Sequence, residues 1–327
     1  MRIIQQWSRA IAMAIGTAMI GGLPVALAQE FPSKPIRFIV PFPPGGTVDP
    51  LARLIGAKIT AATGQQVIVD NRTGGSGVIG TAIAAKANPD GYTYVFAFDT
   101  HAVNPALVPN LPFDTLKDLA PVMLVGRAPY AIVTSPKRPY QSMADLVRAA
   151  KAKPDTLTYG TVGAGSLGHL ALTLAQQAGG FKIVHVPYKG GGPMTAAVIG
   201  AQIDIGIGSS ALVTPMVEDK RVRALAITGD ARVKTLPGVP TLQEQGYKGV
   251  SAYAWWGIFT PAGIPRNRLG KMHGEIVKAI NQPDVRTHLA DRIGMELVIS
   301  SPAELGTWTR NEVTRWAKVI RDNNIKP

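Results

Sequence analysis

The chain has no cysteine among its 327 residues. That excludes disulfides, thiolate metal sites and an N-terminus carrying a lipid on cysteine. Long apolar runs are also scarce. The main one, residues 10–20, is short and soon interrupted by Gly21, Gly22 and Pro24, so it does not read as a bilayer span. Basic runs interleaved with aromatics are missing, although Lys and Arg exceed Asp and Glu by 13, so nucleic acid is not an expected partner. The five histidines, His101, His169, His185, His273 and His288, show no metal-ligand spacing. Each reads as a surface or hydrogen-bonded residue, and neither a metal nor a cofactor is implied.

What is present begins with a leader. Arg2 and Arg9 precede the apolar stretch, and Ala26-Leu27-Ala28 supplies small residues for cleavage, so residues 1–28 read as a secretory signal peptide. Losing both arginines lowers the formal charge from +13 to +11, which suits an anionic ligand or an anionic membrane surface. The residues that follow exceed what one core usually holds, so two domains are expected. No low-complexity linker separates them. A discontinuous arrangement is therefore expected, with 30–131 plus 252–327 as one domain and 132–251 as the other, crossing near Pro129 and again near 246–251.

Short β-branched runs alternate with helical stretches, which argues for an α/β fold with largely parallel sheets. Candidate strands are 36–40, 66–70, 93–98, 131–134, 158–159, 183–186, 203–207, 222–228 and 257–260. Capping boxes at Ser142/Asp145, Thr241/Glu244 and Ser301/Glu304 mark helix starts.

The most informative motif is Pro41-Phe42-Pro43-Pro44-Gly45-Gly46-Thr47-Val48-Asp49, lying between a strand and Pro50-Leu51. Asp49 reads as an N-cap and Pro50 as the first helical residue. The glycines let a ligand approach main-chain N–H groups at a helix start, where anions are favoured. A second turn, Gly163-Ala164-Gly165-Ser166-Leu167-Gly168, has the Gly-x-Gly-x-x-Gly spacing of dinucleotide folds. The following strand ends in Pro187-Tyr188-Lys189, however, with no acid to hold a ribose. The turn reads as a second anion-binding helix start, with a purely structural tight turn as the competing reading. Ser166 and His169, three residues apart, raise a hydrolase alternative, but neither glycine turn has nucleophile-elbow spacing and no orienting third group is evident. Further glycine clusters are 74–77 and 190–192, the second beside Lys189. Trp255-Trp256 reads as core or interface packing.

Taken together these segments resemble the Bug family, the extracytoplasmic solute receptors of tripartite tricarboxylate transporters. The resemblance covers nearly all of the chain after the leader and rests on PFPPGG with Asp49 and Arg53, Asn71-Arg72 with its glycines, 89–93, the 163–169 turn, 186–190, 223–226, 236–241 and Trp256. It implies a two-lobed periplasmic binding protein (Venus flytrap, type II), each lobe a mostly parallel sheet flanked by helices. It also implies a non-enzymatic, monomeric receptor in the periplasm that hands a small carboxylate to integral membrane permease subunits. A sensor presenting its ligand-bound form to a signalling partner would use the same binding chemistry. Carried over by position, Phe42, Gly45, Gly46 and Thr47 form the carboxylate loop. Gly75 and Ser76 come from a second loop, and Thr161 and Ser166 from the second domain; His169, Asp204 and Ser209 are further ligand-binding candidates there. Where many relatives have an acidic or amide pair, this chain has Gly208-Ser209, which disfavours a ligand amine and favours a di- or aromatic carboxylate.

Overall fold

A computed structural model describes residues 31–325; the signal-peptide expectation lies outside them. In chain order the elements are β1 (Ile36–Val40), α1 (Val48–Thr63), β2 (Val67–Asn71), α2 (Val78–Ala85), β3 (Thr93–Phe98), α3 (Thr100–Leu107) and β4 (Leu119–Thr134). There follow α4 (Met143–Ala152), β5 (Thr158–Thr161), α5 (Leu167–Gly179), β6 (Val184–Pro187), α6 (Gly191–Ile199), β7 (Ile205–Ser209), α7 (Ser210–Glu218) and β8 (Arg223–Ile227). The chain closes with β9 (Tyr253–Pro261), α8 (Arg266–Ile280), α9 (Pro283–Arg286), β10 (Glu296–Leu297) and α10 (Pro302–Asp322).

The architecture is α/β and two-lobed, and both lobes repeat one strand order. In the first, β2, β1 and β3 are parallel, β9 runs antiparallel beside β3, and β4 pairs with β9. In the second, β6, β5 and β7 are parallel, β4 runs antiparallel beside β7, and β8 pairs with β4. Strand β4 is common to both. Its last partner in β9 is Tyr253, opposite Pro129, and Tyr130 already pairs with Ser209 of β7. Thr228 stitches this crossing: its hydroxyl accepts the Tyr130 N–H at 2.9 Å and donates to the Ala252 carbonyl at 2.6 Å.

The nine sequence-derived strands all form, with ends moved by a few residues. The exception is β4, which extends back to Leu119 through Pro121, Gly126 and Pro129. Proline lacks the N–H that a ladder needs, and the strand accommodates part of this run by register shifts between Pro121/Met123 and Leu124/Gly126. The boxes at Ser142 and Ser301 cap helices as expected. Thr241 and Glu244 exchange both capping bonds, at 2.6 and 3.0 Å, around a single turn rather than a helix. The first lobe's core includes Phe38, Tyr94, Phe96, Trp255, Trp256 and Phe259, all essentially fully buried. No helix among the described residues is long and apolar enough to cross a membrane.

Candidate functional site

The loop after β1 and the start of α6 meet face to face. A Cβ placed on Gly192 would lie 3.1 Å from the Pro44 carbonyl oxygen and 3.2 Å from Gly45, and one on Gly45 would lie 3.4 Å from the Gly192 Cα. Main chain packs on main chain here, which only glycine permits. Gly45 also has φ +89°, in the left-handed region that favours glycine.

Both helices that open at this contact start without a side-chain cap. For α1 the reason is visible. Thr47, rather than Asp49, occupies the cap position, and its hydroxyl accepts the Trp256 indole N–H at 3.0 Å. Asp49 lies in the first turn and is buried. Its carboxylate takes Arg53 at 3.0 Å and the Asn71 amide at 2.9 Å, and that amide also donates to the Phe42 carbonyl at 3.0 Å. Asp49 therefore holds the loop in shape instead of capping the helix. Orphan N–H groups and the positive end of the helix dipole are left at the cleft.

The turn before α5 is built the other way. Ser166 is fully buried, and its hydroxyl caps the helix by accepting the His169 N–H at 3.3 Å. The Gly165 N–H donates to His169 Nδ1 at 3.2 Å, and the Thr161 hydroxyl donates to the Gly163 carbonyl at 2.9 Å. The His169 and His185 rings stack with centroids 4.0 Å apart, and His185 Nε2 lies 2.8 Å from the Thr161 hydroxyl. Burial lowers the pKa of His169 to about 4; burial and the neighbouring His169 lower that of His185 to about 3. Both rings are thus neutral at physiological pH. Thr161, Ser166 and His169 direct these polar groups at the turn's own main chain and, for Thr161, at His185 as well, and Ser166 bonds the His169 main chain, not its ring.

Three cavities run along the cleft. The central one, about 20 Å³ and so scarcely roomier than one water needs, is walled by Phe42, Gly46, Thr47, Phe98, Gly191 and Ser209, among others. One flank, about 180 Å³, includes Gly75, Ser76 and Lys189. The other, about 200 Å³, begins at Gly45, Gly46 and Thr47. Of the expected residues, Phe42, Gly45, Gly46, Thr47, Gly75, Ser76 and Ser209 therefore border the cleft. Ser209 is also the cap of α7, accepting the Leu212 N–H at 3.3 Å. Ser76 has φ +52° and donates its hydroxyl across the cleft to the Ala164 carbonyl at 2.8 Å.

Asp204 is not brought there. It precedes β7, at the end of the strand away from the cleft, and is bound by the Thr158 N–H at 2.8 Å, Tyr140 at 3.3 Å and Arg138 at 3.2 Å. Phe98, Val162, Gly190, Gly191 and Leu212 line the central cavity outside the expected set. The Gly-Gly-Gly-Pro run at 190–193 was the available signal for part of this wall. A last link between the lobes is Asp99, fully buried, which accepts the Tyr130 hydroxyl. Burial raises the pKa of this carboxyl to about 8, against the opposing pull of the Tyr130 hydrogen bond.

The family "Tripartite tricarboxylate transporter family receptor" matches residues 51–325. The chain belongs to this receptor family. Protein BugT of Bordetella pertussis is 35% identical to this receptor over 318 residues, covering 97% of each chain. A protein of R. palustris solved with adipate superposes with a TM-score of 0.87 at 31% identity, covering 91% of this chain and 100% of the other. MatC from Rhodopseudomonas palustris, with bound malate, gives a TM-score of 0.83 at 29% identity, covering 89% and 100%. The receptor thus shares its fold with solute-binding relatives, two of them solved with carboxylates.

Proposed function

We propose that this receptor is exported to the periplasm by a leader at 1–28, clamps a small carboxylate between its lobes, and passes it to integral membrane permease subunits. The observation that carries this reading is the meeting of two helix starts without side-chain caps, α1 and α6, across the glycine contact. Opposed main-chain N–H groups and helix dipoles suit one carboxylate without any dedicated cation. The adipate and malate found with relatives support the same class, with a di- or aromatic carboxylate favoured here.

Residues 132–251 form the lobe that swings against 30–131 plus 252–327, with the Pro129–Tyr130 and Thr228–Ala252 segments as the hinge. The central cavity, too small for a carboxylate in this closed arrangement, must widen to admit one. Phe42, Gly45, Gly46 and Thr47 frame the acid, and the protein acts as a monomer. A thermal-shift and calorimetric screen of mono-, di- and aromatic carboxylates tests the reading. A ligand at a hundredfold its Kd adds about 2.7 kcal/mol of stability. Stabilisation only by neutral sugars or cations would overturn it.

A further inference from the structure

The cleft is polar at one end and apolar at the other. At the flank formed by the second glycine loop, Ser76 and Lys189 supply polar groups. At the opposite flank, continuous with the Gly45–Gly46–Thr47 edge of the carboxylate cradle, the wall is Leu51, Leu54, Leu212, Met216, Leu289 and Met295. No lysine, arginine, aspartate or glutamate lines that flank; His288, exposed, is its sole titratable side chain. Thr47, Gly46 and Leu212 border both this cavity and the central one, so the two adjoin along these residues.

We infer that the ligand is an amphiphilic monocarboxylate: its acid sits at the α1 and α6 starts, and an alkyl or phenyl body fills the apolar flank. This rests on the carboxylate-receptor reading above, keeps its aromatic acids and departs from its dicarboxylates. The apolar cavity measures about 200 Å³, above the ~150 Å³ of an engineered apolar cavity that takes benzene. A second carboxylate placed in this flank would lose its water and meet no cation or donor cluster, which is strongly unfavourable. The alternative seat for a second acid is the Lys189 side, but that lysine is exposed and its ammonium stays hydrated.

The test is calorimetry on the purified receptor with hexanoate against adipate, which differ by one terminal carboxylate, together with 3-phenylpropanoate and the series butanoate to hexanoate. Hexanoate and 3-phenylpropanoate should bind at least tenfold tighter than adipate, and affinity should rise about fourfold per methylene along the series. Adipate binding as tightly as hexanoate, or a flat series, would overturn the inference and leave the carboxylate-receptor reading standing. If none of these acids, nor malate or benzoate, binds, that broader reading fails as well.

Met216→Arg, at a half-buried position on α7, supplies a second arm. With the melting temperature confirming a folded protein, it should weaken hexanoate about tenfold and narrow its lead over adipate. An unchanged hexanoate affinity would show that the apolar flank is not the seat of the ligand body.

Discussion

The starts of α1 and α5 look alike on paper, each a glycine turn between a strand and a helix with hydroxyl groups nearby, yet they hold their N–H groups in opposite ways. At α5 the hydroxyl of Ser166 caps the helix and the His169 ring takes the Gly165 N–H. At α1 the potential caps are drawn off elsewhere, Thr47 by the Trp256 indole and Asp49 by Arg53 and Asn71. A helix start is left open to a ligand when its local acceptors are engaged by something else. What makes α1 available is thus partly a tryptophan distant in sequence.

The strongest way to break this contrast is to fill the α1 side. Gly46→Leu places a side chain against Gly191, whose N lies 3.7 Å from the Cβ position. We expect at least a hundredfold loss of carboxylate affinity by calorimetry, with a circular-dichroism melting curve that still shows a cooperative fold. Trp256→Phe should convert α1 toward the α5 pattern by releasing the Thr47 hydroxyl to cap its own helix. Affinity should fall about five- to tenfold, the scale of one N-cap, and the cavity left at this buried position should also lower the melting temperature.

A third measurement compares buried titratable groups of the two lobes. Folded Asp99 keeps its proton up to about pH 8, whereas the unfolded chain releases it near 4. Between those values the unfolded state binds fewer protons, so stability falls as pH rises. His169, His185 and His101 run the other way. Burial holds His169 and His101 down to about 4 and, with His169 beside it, His185 to about 3. The unfolded chain takes up those protons below about 6.5, so stability falls on acidification. A maximum near pH 6.5 is expected in a melting-temperature profile, with a steeper acid limb. Asp99→Asn should flatten the alkaline limb, an effect on the order of 1–2 kcal/mol by pH 8. The smallest expected effect belongs to Ser166→Ala. It should cost about 1 kcal/mol of stability by loss of the cap and leave ligand affinity within twofold; a large affinity loss would put α5 back at the ligand.

Much of this could be read from the residues. The α/β alternation, the strands and the caps at Ser142 and Ser301 depend on local pattern, and local pattern is what a sequence displays. The extension of β4 was hidden because Pro121 and Pro129 argue against a strand, and only pairing with β9 overrides them. Asp49 was misread as a cap because Asn71 and Arg53, which claim it, approach through the folded loop. Asp204 could have been placed correctly, since it precedes its strand and ligands in such sheets gather at the opposite, carboxyl ends. The role of 190–192 was harder, because a glycine run does not say which loop it will touch.

The shared strand order has a consequence for how the chain comes together in time. Strand β9 lies between β3 and β4 of the first lobe, yet it is synthesised after the whole of the second. The first lobe therefore cannot close its sheet while residues 253–261 are still unmade. Long-range pairings of this kind slow folding. During synthesis the second lobe holds its parallel strands complete while the first remains open at its centre, so the lobe that begins the chain is the last to finish.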